Sequence, residues 1–424
     1  TARWRLPLGP PRPPTRCGSG SAGVTRRRPA DDLFEPVTAF ANLHSAALRS
    51  VRGKRERLEP AAFMAGLERN LLRLQDELRA GTWRPGVFRS LIIHEPKPRC
   101  ISVAPFADRV VHQALCARIG PVLERGWSPS SFASRLGYGT HRAIERFEAL
   151  RERHRWVLRA DVFRYFPSID HAILKALLRR RIGCARTLAL LDVIIDGSNP
   201  QEPVHRYFDG DDLWTPFERA RGLPLGNLTS QLLGNHYLDA LDHWLAEVAG
   251  APHFVRYLDD IAVFGDDADE LRALQQRMAA HLEGRRLLLH PHKTQVRRSD
   301  EAQVFLGFEL RPGGWRRLTP EHLGRAQRRI DQWRKAWHRG AADEAAVRAS
   351  VGGWVAHARH ADTWRLRCSF FPHGWFAPGE EPARLRTPGA RRRLEQQPDE
   401  RPLRQPQPRR ADESQQQHRF PSCP

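Results

Sequence analysis

Three aspartates in this chain of 424 residues stand in surroundings that suggest chemistry. Asp259 and Asp260 are adjacent and lie between two short apolar runs, Phe254-Val255 and Ile261 to Phe264. The aromatic and β-branched content of both runs predicts strands, and the break between them predicts a β-hairpin with the acids at its tip. Two adjacent carboxylates repel one another, no cation stands beside them in sequence, and Tyr257 and Leu258 would partly desolvate them. A solvated acidic turn would also account for a bare pair. A third acid upstream argues for more. The run Trp156 to Ala160 predicts a strand that delivers Asp161 at its end, and Ser168 or Asp170 then caps a helix whose Ile173, Leu174, Leu177 and Leu178 keep helical spacing. Three carboxylates on neighbouring strand ends can hold two divalent cations about 3.5–4 Å apart. Such a pair activates a hydroxyl nucleophile and stabilises a leaving pyrophosphate in an in-line displacement. Mg²⁺ suits the set, because it binds through few carboxylates together with water and phosphates; Mn²⁺ is the other candidate.

Elements of different periodicity surround these residues. Pro60 to Arg79 predicts an amphipathic helix with Phe63, Leu67, Leu71, Leu74 and Leu78 on one face and Gly81 as its stop. Val87 to His94 and Arg99 to Val103 predict two strands joined by Glu95-Pro-Lys-Pro98, a basic hairpin whose Lys97 and Arg99 suit phosphate oxygens. Pro105 to Ile119 predicts a helix, in which Asp108 and Arg109 suggest an ion pair or a template contact. Asp209-Gly-Asp-Asp212 lacks the ligand series of a calcium loop and is expected to be a solvated turn. Gly222-Leu-Pro-Leu-Gly-Asn-Leu-Thr-Ser-Gln231 predicts a turn of small residues ahead of a long helix, which allows close approach of a bound group. Val304 to Leu310 predicts a strand interrupted by Gly307. Two helices follow, Pro320 to His338 and Asp343 to Ala358. Arg325, Arg328, Arg329, Arg334 and Lys335 would face one side, and the interleaved tryptophans are expected in the core. His290 and His292 lack the further ligand a zinc site needs.

Several of these segments together resemble reverse transcriptases, in order, over roughly residues 85 to 370. Tyr257-Leu-Asp-Asp260 resembles their Tyr-x-Asp-Asp motif, and Asp161 with Phe166 resembles their first palm motif. The resemblance implies an α+β right-hand polymerase with fingers, an antiparallel palm sheet and a helical thumb, making DNA on an RNA template. It makes Asp161, Asp259 and Asp260 catalytic, holding two Mg²⁺ ions with the carbonyl of Val162. It places Lys97, Arg99, Phe166, Leu225, Gly226, Asn227 and Lys293 around the incoming deoxynucleoside triphosphate. Phe166 would lie beneath the sugar and exclude a 2′-hydroxyl, and Lys293 could protonate pyrophosphate. Phe305, Leu306 and Gly307 correspond to the primer grip. Most of the family carries Gln-Gly and Ser-Pro where this chain has Leu225-Gly226 and Ser230-Gln231. That departure resembles the enzymes of diversity-generating retroelements, which implies copying with errors at adenines and an accessory variability protein. Group II intron, retron and defence-type reverse transcriptases are the alternatives, and a non-catalytic RNA-binding protein on the same scaffold is a further one.

Composition agrees with a polyanionic partner. The formal net charge is +21 and the pI about 10.9, which suits template RNA and a cDNA or primer strand. There is no apolar run of about 18 residues to span a bilayer and no signal-peptide pattern, so a cytoplasmic protein with no membrane contact is expected. The six cysteines have no Cys-x-x-Cys spacing and suggest neither zinc nor a disulfide framework. Residues 1–32 are Pro- and Arg-rich and expected to be disordered, and the chain opens on Thr1 rather than Met, as a reading frame cut short would. The expected organisation continues with N-terminal helices and fingers over 33–155, and a palm over 156–310 with a fingers insertion around 170–220. A helical thumb over 311–377 and a disordered basic tail over 378–424 complete it.

Overall fold

The computed structural model describes residues 32–93, 99–198 and 205–371. Lys97, the basic tail and nearly all of the Pro/Arg-rich head lie outside the described residues. The first block is helical: α1 (Phe34–Thr38), α2 (Phe40–Val51), α3 (Leu58–Ala65) and α4 (Leu67–Ala80). The single helix expected over 60–79 is thus two. Gly66, at φ −117° and ψ 39°, leaves the helical region between them, and Asn70 Nδ2 caps the break by donating to the Phe63 carbonyl at 2.9 Å. Gly81 closes α4 in the left-handed conformation, φ 70°, which a residue without Cβ adopts at no steric cost.

A separate antiparallel hairpin follows, β1 (Arg89–Ile93) and β2 (Arg99–Val103), then α5 (Phe106–Glu124) and α6 (Thr140–Arg151). Asp108 and Arg109 do not pair with each other. Asp108 accepts from the Gly86 N–H at 2.8 Å, and Arg109 pairs with Glu59 at 3.3 Å.

The central sheet is built from β3 (Trp156–Asp161), β4 (Phe254–Tyr257), β5 (Asp260–Gly265) and β6 (Gln295–Arg298), in spatial order β4-β5-β3-β6 and antiparallel throughout. Val157, Leu158, Ala160, Ile261, Ala262 and Val263 are all buried, so both faces of the sheet are covered. One face packs with α5, α11 (Leu228–His243) and α12 (Ala268–Glu283) into the largest core. The other meets α6 through Phe147, Phe264, Phe305 and Phe308. Between β3 and α11 lie α7 (Tyr165–Ser168), α8 (His171–Arg179), α9 (Ala185–Asp196) and α10 (Thr215–Glu218). Asp170 caps α8 as expected, accepting from Ile173 N at 3.0 Å. In the 209–212 turn Asp209, Gly210 and Asp212 are exposed, as in a solvated turn, whereas Asp211 pairs with Arg219 and only 3% of its side chain is exposed.

A small meander of β7 (Gln303–Phe305), β8 (Phe308–Leu310) and β9 (Arg316–Leu318) leads into α13 (Pro320–His338), α14 (Glu344–Ala358) and α15 (Trp364–Phe370). These helices share a third core in which Trp333, Trp337 and Trp354 pack, whereas Trp364 is exposed. Arg334 does not join the basic face expected of α13: it is 7% exposed and donates to the Phe370 carbonyl. Cys100, Cys116 and Cys184 are free, but Cys368 is disulfide-bonded, which the sequence spacing did not suggest. Among the described residues no helix is long and apolar enough to cross a membrane.

Candidate active site

Strand register assembles the acids. Asp161 closes β3 directly opposite Asp260, the first residue of β5. Tyr257 pairs with Asp260 across a two-residue turn, so Leu258 and Asp259 form the tip of the β4–β5 hairpin. The Asp259 carbonyl accepts from Val162 N at 3.3 Å, which ties the tip to the end of β3. The turn is strained: Leu258 sits at φ 55°, a region costly for a side chain with a Cβ.

The strain is held by groups the sequence reading missed. Arg256 is fully buried in β4, with Nε and Nη2 donating to Asp242 of α11 at 2.7 and 2.6 Å. Its Nη1 donates to Asn235 Oδ1 at 2.9 Å and to the Leu258 carbonyl at 3.3 Å. A lone charge inside the apolar run Phe254 to Tyr257 was the available signal, since a buried guanidinium requires a paired acid.

Asp260 is not unpaired either. Arg159 Nη2 donates to its Oδ1 at 2.7 Å, and Nη1 donates to the Val304 carbonyl at 2.7 Å. Arg159 lies two residues before Asp161, hence on the same face of β3, and strand alternation would have shown it. Lys293 Nζ reaches Asp161 Oδ2 at 2.9 Å. Among the described residues Asp259 has no such hydrogen-bonded cation. Burial, then the charge of Asp161, raise its pKa to about 6. Burial also raises that of Asp260, against the opposing pull of Arg159.

The remaining candidates sit at varying remove. Phe166 is half-buried on α7, its carbonyl accepting from Leu223 N at 2.9 Å, and its ring edge lies 3.2 Å from where a Cβ on Gly234 would stand. The Leu225 carbonyl accepts from Ser102 N at 2.9 Å, which fastens the 222–227 turn to β2. Gly226 has φ 106°, and a Cβ there would meet Ile101 at 2.6 Å. Asn227 is buried, its Nδ2 without a protein partner among the described residues. Arg99 opens β2 with an exposed side chain on the separate hairpin. Leu306 and Gly307, at φ 48° and 86°, form the tight β7–β8 turn. Phe305 is buried beneath Arg159, whose guanidinium is 4.9 Å from the ring centre.

As placed, no three His, Cys, Asp or Glu side chains among the described residues are grouped closely enough to hold a metal ion. The chemistry of the set nevertheless fits a hard cation. Asp161, Asp259 and Asp260 offer only carboxylate oxygens, and a bound cation would offset the burial and the Asp161 charge that raise the pKa of Asp259.

Residues 93–310, just over half of the chain, match the family model described as reverse transcriptase (RNA-dependent DNA polymerase). The chain belongs to that family and is an RNA-directed DNA polymerase; its mixed helices and antiparallel sheets are those of the right-hand polymerase fold. It is 27% identical over 305 residues to the retron Mx65 reverse transcriptase of Myxococcus xanthus, covering 68% of this chain and 70% of that one. It is 26% identical over 278 residues to protein YkfC of Escherichia coli (strain K12), covering 56% and 70%. The group II intron-encoded protein LtrA of Lactococcus lactis subsp. cremoris is 22% identical over 184 residues, covering 43% of this chain and 29% of that one. Among solved structures, apo telomerase from Candida tropicalis aligns with a TM-score of 0.40 and 11% identity, over 59% of this chain and 60% of that one.

Proposed function

We propose that the chain copies a template RNA into cDNA at Asp161, Asp259 and Asp260, with fingers, palm and thumb bounded as the sequence suggests. The observation that carries this is the register that sets Asp161 opposite Asp260 and beside the Asp259 turn. The three carboxylates, with the Val162 carbonyl, would hold two divalent cations, Mg²⁺ first. When bound, these ions supply the Lewis acidity that a 3′-hydroxyl nucleophile and a leaving pyrophosphate need. The protein's own groups prepare the site. Lys293 pairs with Asp161 at 2.9 Å and, were a cation held there, would stand near enough to contact the triphosphate. Arg159 aims the Asp260 carboxylate and opposes the burial that raises its pKa. Phe166, Leu225, Gly226 and Asn227 line the sugar and base of the incoming nucleotide, Lys97 and Arg99 take its phosphates, and Phe305 to Gly307 seat the primer.

Within the family, Leu225-Gly226 and Ser230-Gln231 support an error-prone enzyme of a diversity-generating retroelement, working with an accessory variability protein. A retron or group II intron enzyme is the second reading, favoured by the relatives named above. Primer extension on a defined RNA template with Mg²⁺ or Mn²⁺ tests both levels. Asp259→Asn keeps size and removes charge, and extension is expected to fall by at least about a hundredfold. Equal extension by both proteins would sink the assignment of these carboxylates. Misincorporation confined to template adenines supports the retroelement reading, and uniform fidelity the second one.

A further inference from the structure

A cavity of about 530 Å³ opens between α13 and α14, in the helical unit that follows β9. Its volume falls in the range of small-ligand pockets, about 300–1,000 Å³. His322, Arg325, Arg329 and Trp333 line it from α13, and Gly353, Trp354 and His357 from α14. Intervals of three and four, from His322 to Trp333 and from Gly353 or Trp354 to His357, put each set on one face of its helix.

The lining is cationic and aromatic. No carboxylate belongs to it, and among the described residues neither Arg325 nor Arg329 has an ion-pair partner. Arg329 is exposed, and of the half-buried Arg325 guanidinium only Nε is shut off from solvent. Trp333 and Trp354 are only partly buried against the third core, which leaves part of each indole at the cavity. His322 and His357 stand at the end nearest the β7–β8 turn. A Cβ on Gly307 would meet His322 at 2.4 Å, and the ring centre of His357 is 4.9 Å from that of Phe308. Burial, then Arg325 and His357, hold His322 below its ordinary pKa; burial and His360 do the same for His357. Both rings are therefore neutral near pH 7, and each can donate and accept a hydrogen bond. Gly353 keeps the gap open. Glycine is the poorest helix former after proline, yet it stands inside α14 where a Cβ would meet no atom within 4 Å. Packing does not call for it; the open space beside it does.

We propose that this cavity binds one unpaired nucleotide, with its base against Trp333 and Trp354 and its phosphate on Arg325 and Arg329. Bases of any sequence stack on aromatic side chains, and forked guanidinium groups suit phosphate oxygens. The two histidines meet the polar edge of the base. A free nucleotide and an unpaired nucleotide of a bound RNA or DNA strand share this chemistry. The cavity belongs to the helices after β9 and not to the sheet that carries Asp161, Asp259 and Asp260, so it stands or falls apart from the polymerase assignment.

The test is calorimetric titration of the full chain with deoxyadenosine monophosphate in EDTA, which strips the divalent cations that a nucleotide at Asp161 would need. One nucleotide per chain is expected for the wild type. Gly353→Leu fills the open space without changing charge and should weaken binding at least about tenfold. Arg329→Ala should weaken it about tenfold, as loss of one hydrogen bond to a charged group does. Circular dichroism should show wild-type helix content in both variants, and if Gly353→Leu is unfolded, Arg329→Ala decides alone. Wild type that binds no nucleotide, a folded variant that binds as tightly as wild type, or inorganic phosphate that binds as tightly as the nucleotide overturns the proposal. Where the nucleotide binds, displacement by a single-stranded oligonucleotide without terminal phosphates identifies a strand as its source. Failure to displace it identifies the free nucleotide.

Discussion

Replacing Asp242 with Ala should cost far more than a hydrogen bond. Asp242 and Arg256 are both 0% exposed, and the guanidinium would be left buried without its counter-ion. Removing one partner of such a pair costs about 3–5 kcal/mol, a large part of the stability of an ordinary domain. Urea denaturation followed by tryptophan fluorescence should show a midpoint well below wild type with an unchanged slope. The double variant Asp242→Leu, Arg256→Met separates stability from positioning. With both charges gone, stability should return to within about 2 kcal/mol of wild type. The Leu258 carbonyl still loses the donor that reached it at 3.3 Å, and the strained tip carrying Asp259 is free to relax. Displacement of a reacting group by about 1 Å can cost a hundredfold in rate, so primer extension should remain ten- to a hundredfold down although the protein is folded. The reasoning fails if Asp242→Ala unfolds at the wild-type urea concentration. Its positioning half fails if the double variant extends primers at the wild-type rate.

Gly307→Ala should destabilise by about 1–3 kcal/mol, because its Cβ would lie 2.4 Å from His322 Cε1 at a φ of 86°. Adding His322→Ala relieves the collision and leaves the backbone strain, so denaturation midpoints should recover only in part. Stability should also fall with acid through His112, which burial holds at about 4 against an ordinary 6.5. The unfolded chain takes up this proton first, so the contribution of neutral His112 is complete above about 6.5 and disappears as pH drops from there to about 4. Linkage makes it about 3 kcal/mol. Urea midpoints at pH 7.5 and 4.5, compared with His112→Leu, should show a steeper acid loss in the wild type; parallel losses would contradict the burial argument.

The acids were legible because each sits beside a strand whose alternation and β-branched content are local properties of the sequence. Asp161 ends one run, Asp259 and Asp260 divide another, and hydrogen bonding then sets the register. Asp170 was legible as a cap for the same reason, since its partner is three residues away. Partners distant in sequence were not. Asp242 and Arg256 meet only because α11 packs against β4, and periodicity carries no information about that docking. Arg334 follows buried Ile330 and Ala326 at intervals of four, so its spacing puts it on their inward face rather than on the basic one. Gly66 interrupts an apolar face that runs on through α3 and α4, and a glycine inside a helix, which costs up to about 1 kcal/mol relative to alanine, marks a natural break there.

Arg159 explains why the carboxylates and the β7–β8 hairpin belong to one structural unit. Its guanidinium holds Asp260, donates to the Val304 carbonyl and covers the Phe305 ring. The hairpin after Val304 therefore cannot shift without disturbing the charge partner of Asp260. Among the described residues, five non-glycine positions have positive φ, and Arg164, Leu258 and Leu306 are three of them. One follows Asp161, one precedes Asp259, and one forms the turn anchored beneath Arg159. Strain of about 1–3 kcal/mol at each such position persists only where neighbouring contacts over-determine the backbone. The contacts that do so at the last two, Arg256 under Leu258 and Arg159 over Phe305, are both buried or half-buried arginines paired to aspartate. The sheet thus fixes both hairpins by charge pairing as well as by packing, and polar substitutions here should loosen both elements together.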